Sequence, residues 1–277
     1  MSRSGLSRYG WAMIPIDDAS DPRVGAYRDI RERDLVGREG RFVAEGEVVL
    51  GLLARSAQHQ AESVLIDAKR AEKLAPLLAQ FDAEVPVYAA GQAVIDAIAG
   101  FHLHRGILAI GVRGPEPTAA QLLATLGDGA VVLVLFGISN HDNVGGLFRN
   151  AAAFGADAIL LDANCCDPLY RKAIRVSVGH ALTVPFARLA AGEDPLALLG
   201  EAGFEALALT PVGSTPLSRL QRPRRAAVLL GTEGEGLPAA VIAGATPVGI
   251  RMAPGVDSLN VAVTAGIVLH HLKFAQA

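Results

Sequence analysis

The 277 residues give room for two α/β domains, each able to bury its own core. About half the residues are apolar, aromatics are few and the formal net charge is −3, which excludes a disordered or collagen-like chain and a global positive field for nucleic acid. Apolar runs stay far below the eighteen or so residues of a membrane span, and MSRSGLSRYGWAMIPIDD lacks a signal-peptide core, so the expectation is a cytoplasmic protein.

Residues 1–21 read as a loosely ordered N-terminal extension. From 22 to 112 strands and helices alternate. RFVAEGEVVLGLLARS (41–56) is a short strand and an amphipathic helix. SVLIDA (63–68) is a strand, AEKLAPLLAQF a helix, VPVYAA a strand, GQAVIDAIAG a helix and RGILAIGVR (105–113) a closing strand. Together they predict a small α/β domain. RGPEPTAA, residues 113–120, is Pro/Gly-rich and reads as the linker.

The segment 121–277 alternates more strongly. Strands are expected at 131–137, 157–162, 182–188, 205–210, 226–231 and 247–252, with helices between them. This is the pattern of a mostly parallel sheet covered on both faces. The closing helix, 258–274, is apolar on more than one face through Val261, Val263, Ile267, Val268, Leu269, Leu272 and Phe274. A fully buried core helix or a dimer interface would each explain that.

After the apolar strand VVLVLFG the period changes. Val144, Leu147, Phe148, Ala151 and Ala152 fall on one face of a helix, with Asn143 at the expected N-cap. Gly145 leaves a gap one turn before Arg149. Exposed amides, a gap and a guanidinium suit a phosphate; an ordinary strand-to-helix turn with a surface arginine explains the same residues.

Two further loops follow strand ends, where open α/β sheets bind ligands. In LLGTEGEGLP (229–238), Gly231, Gly234 and Gly236 permit sharp turns and close approach, and Glu233 offers a carboxylate. In IRMAPGVDSLNVAV (250–263), Asp257 or Ser258 is placed to cap the last helix, with Asn260 in its first turn. Neither a dinucleotide fingerprint nor a P-loop is present. The adjacent Cys165 and Cys166 read as reduced packing residues, and no metal site is expected. The basic clusters SRLQRPRRAA (218–227) and YRKAIR (170–175) read as solvated faces.

In combination and order, N-x-G-x-x-x-R-N-A at 143–151, L-L-G-T-E-G-E-G-L-P and I-R-M-A-P-G-V-D-S-L-N-V-A-V resemble the three motifs of the SpoU/TrmH family of RNA 2′-O-ribose methyltransferases, in the SPOUT superfamily. The resemblance covers most of 130–272. FVAEGEVV and HRGILAIG look, more loosely, like that family's small substrate-binding domain. It implies a trefoil-knotted, mostly parallel α/β methyltransferase domain preceded by an α/β RNA-binding domain, a homodimer, and S-adenosylmethionine as cofactor. The implied catalytic residues are Asn143, Arg149, Glu233, Ser258 and Asn260. The implied cofactor contacts are Thr210, Leu230, Gly231, Glu233, Gly236, Ile250, Met252, Ser258 and Leu259. The chain departs from the family pattern at Asn140-His141, where Asp-Pro is usual, at Asn150, where threonine is common, and at His180, which replaces a small residue.

The implied reaction moves a methyl group from a sulfonium to a ribose 2′-hydroxyl of ribosomal or transfer RNA. A free guanidinium is protonated at any relevant pH. The expectation is therefore that Arg149 holds a phosphate and stabilises the developing alkoxide. Asn143 would orient that guanidinium, and Ser258 and Asn260 would position the ribose. An RNA-binding protein of the same fold without catalysis is the alternative, and a nucleotide-binding oxidoreductase a more distant one.

Overall fold

The computed structural model describes residues 13–28, 39–100, 102–103 and 106–274. Two compact units divide the chain, one of residues 1–115 and 169–183, the other of 116–168 and 184–277.

The first unit holds a five-stranded sheet of β1 (Met13–Ile16), β2 (Arg41–Glu45), β3 (Gln60–Asp67), β4 (Val87–Ala90) and β5 (Ile107–Val112), in the order β1-β4-β3-β5-β2. β1, β4 and β3 run parallel, while β5 is antiparallel to both β3 and β2. Helices α1 (Glu47–Ala54), α2 (Ala71–Leu78) and α3 (Gln92–Ala99) connect them. Alternate strand positions, Val43, Leu65, Leu108 and Ile110, join Ile16, Tyr27, Ile95 and Ile98 in one core. The expected extension is corrected here: Met13–Ile16 pairs residue for residue with β4, so ladder bonds order a segment whose composition gave no such signal. His104 and Arg105 of the HRGILAIG phrase lie outside the described residues.

The second unit begins with α4 (Ala119–Ala124), closed by a capping box in which Thr118 and Gln121 satisfy each other's backbone. β6 (Val131–Leu135), α5 (His141–Phe154) and β7 (Ala158–Leu161) follow. Residues 169–183, including α6 (Arg171–Val176), then belong to the first unit. There Arg171 Nη2 donates to Glu45 Oε2 of β2 at 2.7 Å. Val178 and Gly179 both take positive φ, and a Cβ on Gly179 would sit 2.9 Å from Leu52 Cδ1, so only glycine fits against α1.

The strand expected at 182–188 shortens to β8 (Phe186–Arg188), because His180–Leu182 forms a 3-10 turn and Pro185 cannot donate to a ladder. α7 (Pro195–Glu201), β9 (Glu205–Leu209), β10 (Thr215–Pro216), β11 (Ala226–Leu230), α8 (Ala239–Ala243), β12 (Thr246–Gly249) and α9 (Val261–Phe274) complete the unit. Its seven strands are parallel throughout, in the order β10-β12-β9-β11-β6-β7-β8.

The uninterrupted apolar strands VVLVL and AAVLL are the central pair and are buried on both faces. Val132, Val134, Ala227 and Leu229 pack under Leu122, Leu123, Leu199 and Val241 of α4, α7 and α8. α5 and α9 cover the opposite face. They run parallel in a single register, since the contacts Asn143–Asn260, Gly146–Ala262, Asn150–Gly266 and Phe154–His270 advance along both helices together. Glycine makes this seam close: a Cβ on Gly146 would lie 2.8 Å from that of Ala262.

α9 answers the question its composition posed. Val261, Ala265, Val268, Leu269 and Leu272 are buried, whereas Val263, Ile267 and Phe274 are exposed at 51%, 40% and 57%. Among the described residues no helix is long and apolar enough to cross a membrane.

Candidate functional site

β6, β11, β9 and β12 are neighbours in a parallel sheet, so the loops after them leave the same edge. The first enters α5. Asn140 Oδ1 accepts from Asp142 N at 2.8 Å and is the N-cap, in place of the expected Asn143. That frees the Asn143 carboxamide. Buried at 6% exposure, it donates from Nδ2 to Glu233 Oε1 at 2.8 Å and accepts at Oδ1 from Asn260 Nδ2 at 2.8 Å. Asn260 Nδ2 also lies 3.4 Å from Glu233 Oε1.

Asn260 is further occupied at its oxygen, which accepts from Ala262 N at 2.9 Å and Val263 N at 3.2 Å. It is therefore the cap of α9, the role expected of Asp257 or Ser258. A side chain three residues nearer the helix reaches those orphan amides where Asp257 cannot. The three segments thus meet through one ring of polar side chains, two neutral amides around a carboxylate.

The Glu233 loop is held by its own backbone. Gly236 N donates to Thr232 O at 3.0 Å, and Gly234 and Gly236 have φ of 90° and 72°. A Cβ on Gly231 would fall 2.2 Å from Gly236 C, so that position admits no side chain without moving the loop. After β9, Thr210 N donates to Val248 O at 3.1 Å, and Gly213 N returns to Thr210 O at 3.1 Å. Gly213 then passes so near β12 that its Cβ would sit 2.4 Å from Gly249 N. This crossing ends β12 at Gly249, so Ile250 and Met252, expected in a strand, lie in the loop instead. Leu230 is buried at the end of β11. Thr210, Ile250 and Met252 are half-buried, and Ser258 and Leu259 are exposed.

The Arg149 side chain is exposed, and among the described residues none forms an ion pair or hydrogen bond with its guanidinium. The expectation that Asn143 orients its guanidinium is corrected. Both ends of that amide are committed elsewhere, and six residues along a helix place Arg149 on a different side. Gly145, read as a gap beside Arg149, is instead buried within the unit.

Sequence reasoning passed over two contributors. Asp162, at the end of β7, accepts from Gly137 N at 3.0 Å and Cys165 N at 2.9 Å, fixing the turn that leads into α5. Asn150, noted only as a departure, donates from Nδ2 to Ala262 O of α9 at 2.6 Å. The basic cluster at 218–227 is largely occupied locally. Arg222 donates to Gly129 O, Arg224 pairs with Asp128 at 2.6 Å, and Arg225 bonds three backbone carbonyls. Burial pushes the Cys165 thiol up to about 12 and that of Cys166 up to about 11, which suits packing rather than nucleophilic chemistry.

Comparison with known proteins gives this edge a context. Residues 130–270 match the model of the SpoU rRNA Methylase family. An uncharacterized tRNA/rRNA methyltransferase of Mycobacterium tuberculosis is 40% identical across 91% of this chain and 89% of its own length. The 23S rRNA (guanosine-2′-O-)-methyltransferase of Salmonella typhi is 27% identical across 80% of this chain and 93% of that one. In fold, the AdoMet-bound rRNA methyltransferase from Sinorhizobium meliloti superposes with a TM-score of 0.78 at 23% identity, covering 96% of this chain and 99% of that one.

Proposed function

The chain belongs to the SpoU rRNA Methylase family, and from that premise we propose that it transfers a methyl group from S-adenosylmethionine to a ribose 2′-hydroxyl of ribosomal or transfer RNA. The observation that carries this reading is the ring Asn143–Glu233–Asn260, which draws three distant segments to the edge where parallel sheets bind ligands.

The residues present fit the cofactor. Gly231 packs against the Gly236 backbone and Gly213 against β12, and the loops so held carry Thr210, Leu230, Gly236, Ile250 and Met252, the residues proposed to contact it. Val212 and Leu259 add apolar surface that remains exposed at 89% and 37%. When bound, the sulfonium supplies an electrophilic methyl group and departs as a neutral thioether.

The protein's part is alignment and charge. Arg149 holds a phosphate of the RNA and stabilises the ribose oxygen as its proton passes to solvent water. Ser258 orients the ribose, while the Asn143–Glu233–Asn260 ring holds the segment that carries Ser258 in place. Reactants aligned at van der Waals distance recover several kcal/mol, about 7 at the lower bound, of the bimolecular barrier. The exposed Val263, Ile267 and Phe274 of α9 support a homodimer through this helix. The return of the chain from β12 to α9, past the Gly213 loop, supports the threaded path of a trefoil knot.

The test is single-turnover transfer of labelled methyl to total RNA, followed by alkaline hydrolysis, which a 2′-O-methyl group blocks at the modified linkage. Arg149→Ala is expected to abolish transfer while leaving cofactor binding nearly intact. Near-normal turnover in that variant, or label released in alkali-sensitive mononucleotides, would overturn the reading.

A further inference from the structure

We propose that Asn150 is a positioning residue that locks the register of α9 against α5 and so sets where Asn260 meets Asn143 and Glu233. The inference rests on the reaction assigned above, but its structural part stands apart from it. α5 and α9 touch along a seam of small residues, where Gly146 faces Ala262 and Gly266 faces Asn150. Such seams pack closely yet specify register poorly, because one small residue is much like another at the next turn. Asn150 supplies the direction. Its Nδ2 donates to Ala262 O at 2.6 Å, and its carboxamide lies across Gly266, where a Cβ would come within 3.3 Å of that nitrogen.

A single asparagine at a helix–helix seam fixes register in coiled coils because a slipped pairing misplaces its donor, and Asn150, half-buried here, is placed to do the same. Here the consequence reaches the site. Ala262 belongs to the turn whose amides Asn260 caps, and Asn260 Nδ2 in turn reaches Asn143 seven residues before Asn150 on α5. Two ties, about two helical turns apart on α5, therefore hold one short stretch of α9. Arg149 immediately precedes Asn150 on α5. With the Asn150 tie cut, Asn260 keeps the remaining side-chain hydrogen bond from the first turn of α9 to α5 among the described residues.

Three measurements test this on the full chain. In ligand-free Asn150→Leu, amide exchange at Ala262 and Val263 is expected to quicken about tenfold or more, as loss of one such bond allows, while Val268 and Leu269 keep their protection. Single-substrate kinetics should show kcat reduced about tenfold or more with KM for RNA within about twofold, as misplacement of reacting groups predicts. Asn150→Asp gives the signature that lost packing does not. Its carboxylate cannot donate to Ala262 O, but its protonated form can, so its kcat relative to the unsubstituted protein should recover as pH falls through the ordinary aspartate range, from about 6 to about 4. Asn150→Leu should show no such recovery.

Unchanged exchange at Ala262 and Val263, a kcat equal to that of the unsubstituted protein, or identical pH profiles for the Asp and Leu variants each overturn the proposal. If either variant fails to fold, Asn150→Ser is read by exchange and by the same kcat and KM comparison. Should the unsubstituted protein methylate no RNA, the proposed function fails, and the exchange measurement still decides the role of Asn150.

Discussion

Arg225 offers a quantitative test of how the second unit is held together. Its Nη1 donates to Ala202 O at 2.6 Å, and Nη2 donates to Leu123 O and Leu126 O at 3.1 Å each. Ala202 caps the end of α7, and Leu123 and Leu126 flank the end of α4. One guanidinium therefore satisfies carbonyls at two helix C-termini, where a positive charge is also favoured by the helix dipoles. Its Cζ lies over the Phe204 ring, 4.1 Å from the centroid.

In Arg225→Ala, water regains some of these carbonyls, since the arginine is only half-buried. Counting one charge-assisted bond lost outright at about 2 kcal/mol and the ring contact at about 1 gives about 3 kcal/mol. At roughly 2–4 °C per kcal/mol this lowers the midpoint of the second unit by about 6–12 °C. Differential scanning calorimetry with the transitions of the two units resolved is the assay. Arg225→Lys keeps the charge but not the fork, and should recover less than half of the loss. A midpoint within about 1 °C of the parent for Arg225→Ala, or full recovery with lysine, would refute the clamp.

Other outcomes follow from the same structure. Gly231→Val places atoms inside the Gly236 backbone, and calorimetric titration should show S-adenosylmethionine affinity reduced at least about tenfold; unchanged affinity would contradict the cofactor edge. Cys165 and Cys166 have thiol pKa values raised by burial, so the thiolate fraction at pH 8 falls, and alkylation should run about a hundredfold slower than in urea. Equal rates would mean that the segment opens freely. Sedimentation at micromolar concentration should find a dimer that Ile267→Glu dissociates; a monomeric parent protein excludes the α9 interface.

The strands of the second unit were readable because a parallel sheet demands runs such as VVLVL and AAVLL. The buried stripe of α5 was readable from its helical spacing. What the sequence hid was the choice among chemically equivalent residues. Asn140 and Asn143 both suit an N-cap, and so do Asp257, Ser258 and Asn260; only the path of the chain decides which oxygen reaches the free amides. The pairing of Asn143 with Glu233 spans ninety positions and has no local signal. β1 was missed for a related reason, since an edge strand of four residues draws its stability from β4 rather than from its own composition. Arg225 was hidden among neighbouring arginines because a sequence does not reveal which one faces a carbonyl.

The placement of residues 169–183 with the first unit bears on how the chain is made. Synthesis runs from the N-terminus, and domains fold in general as they emerge. Here the partner of Glu45 on β2 and the glycine that fits beside Leu52 are supplied by Arg171 and Gly179. By then β6, α5 and β7 have already left the ribosome. The first unit therefore gains its last element only after the beginning of the second has been translated. Dividing the gene at residue 115 would leave one half without its last element and the other carrying a segment with nothing to cover.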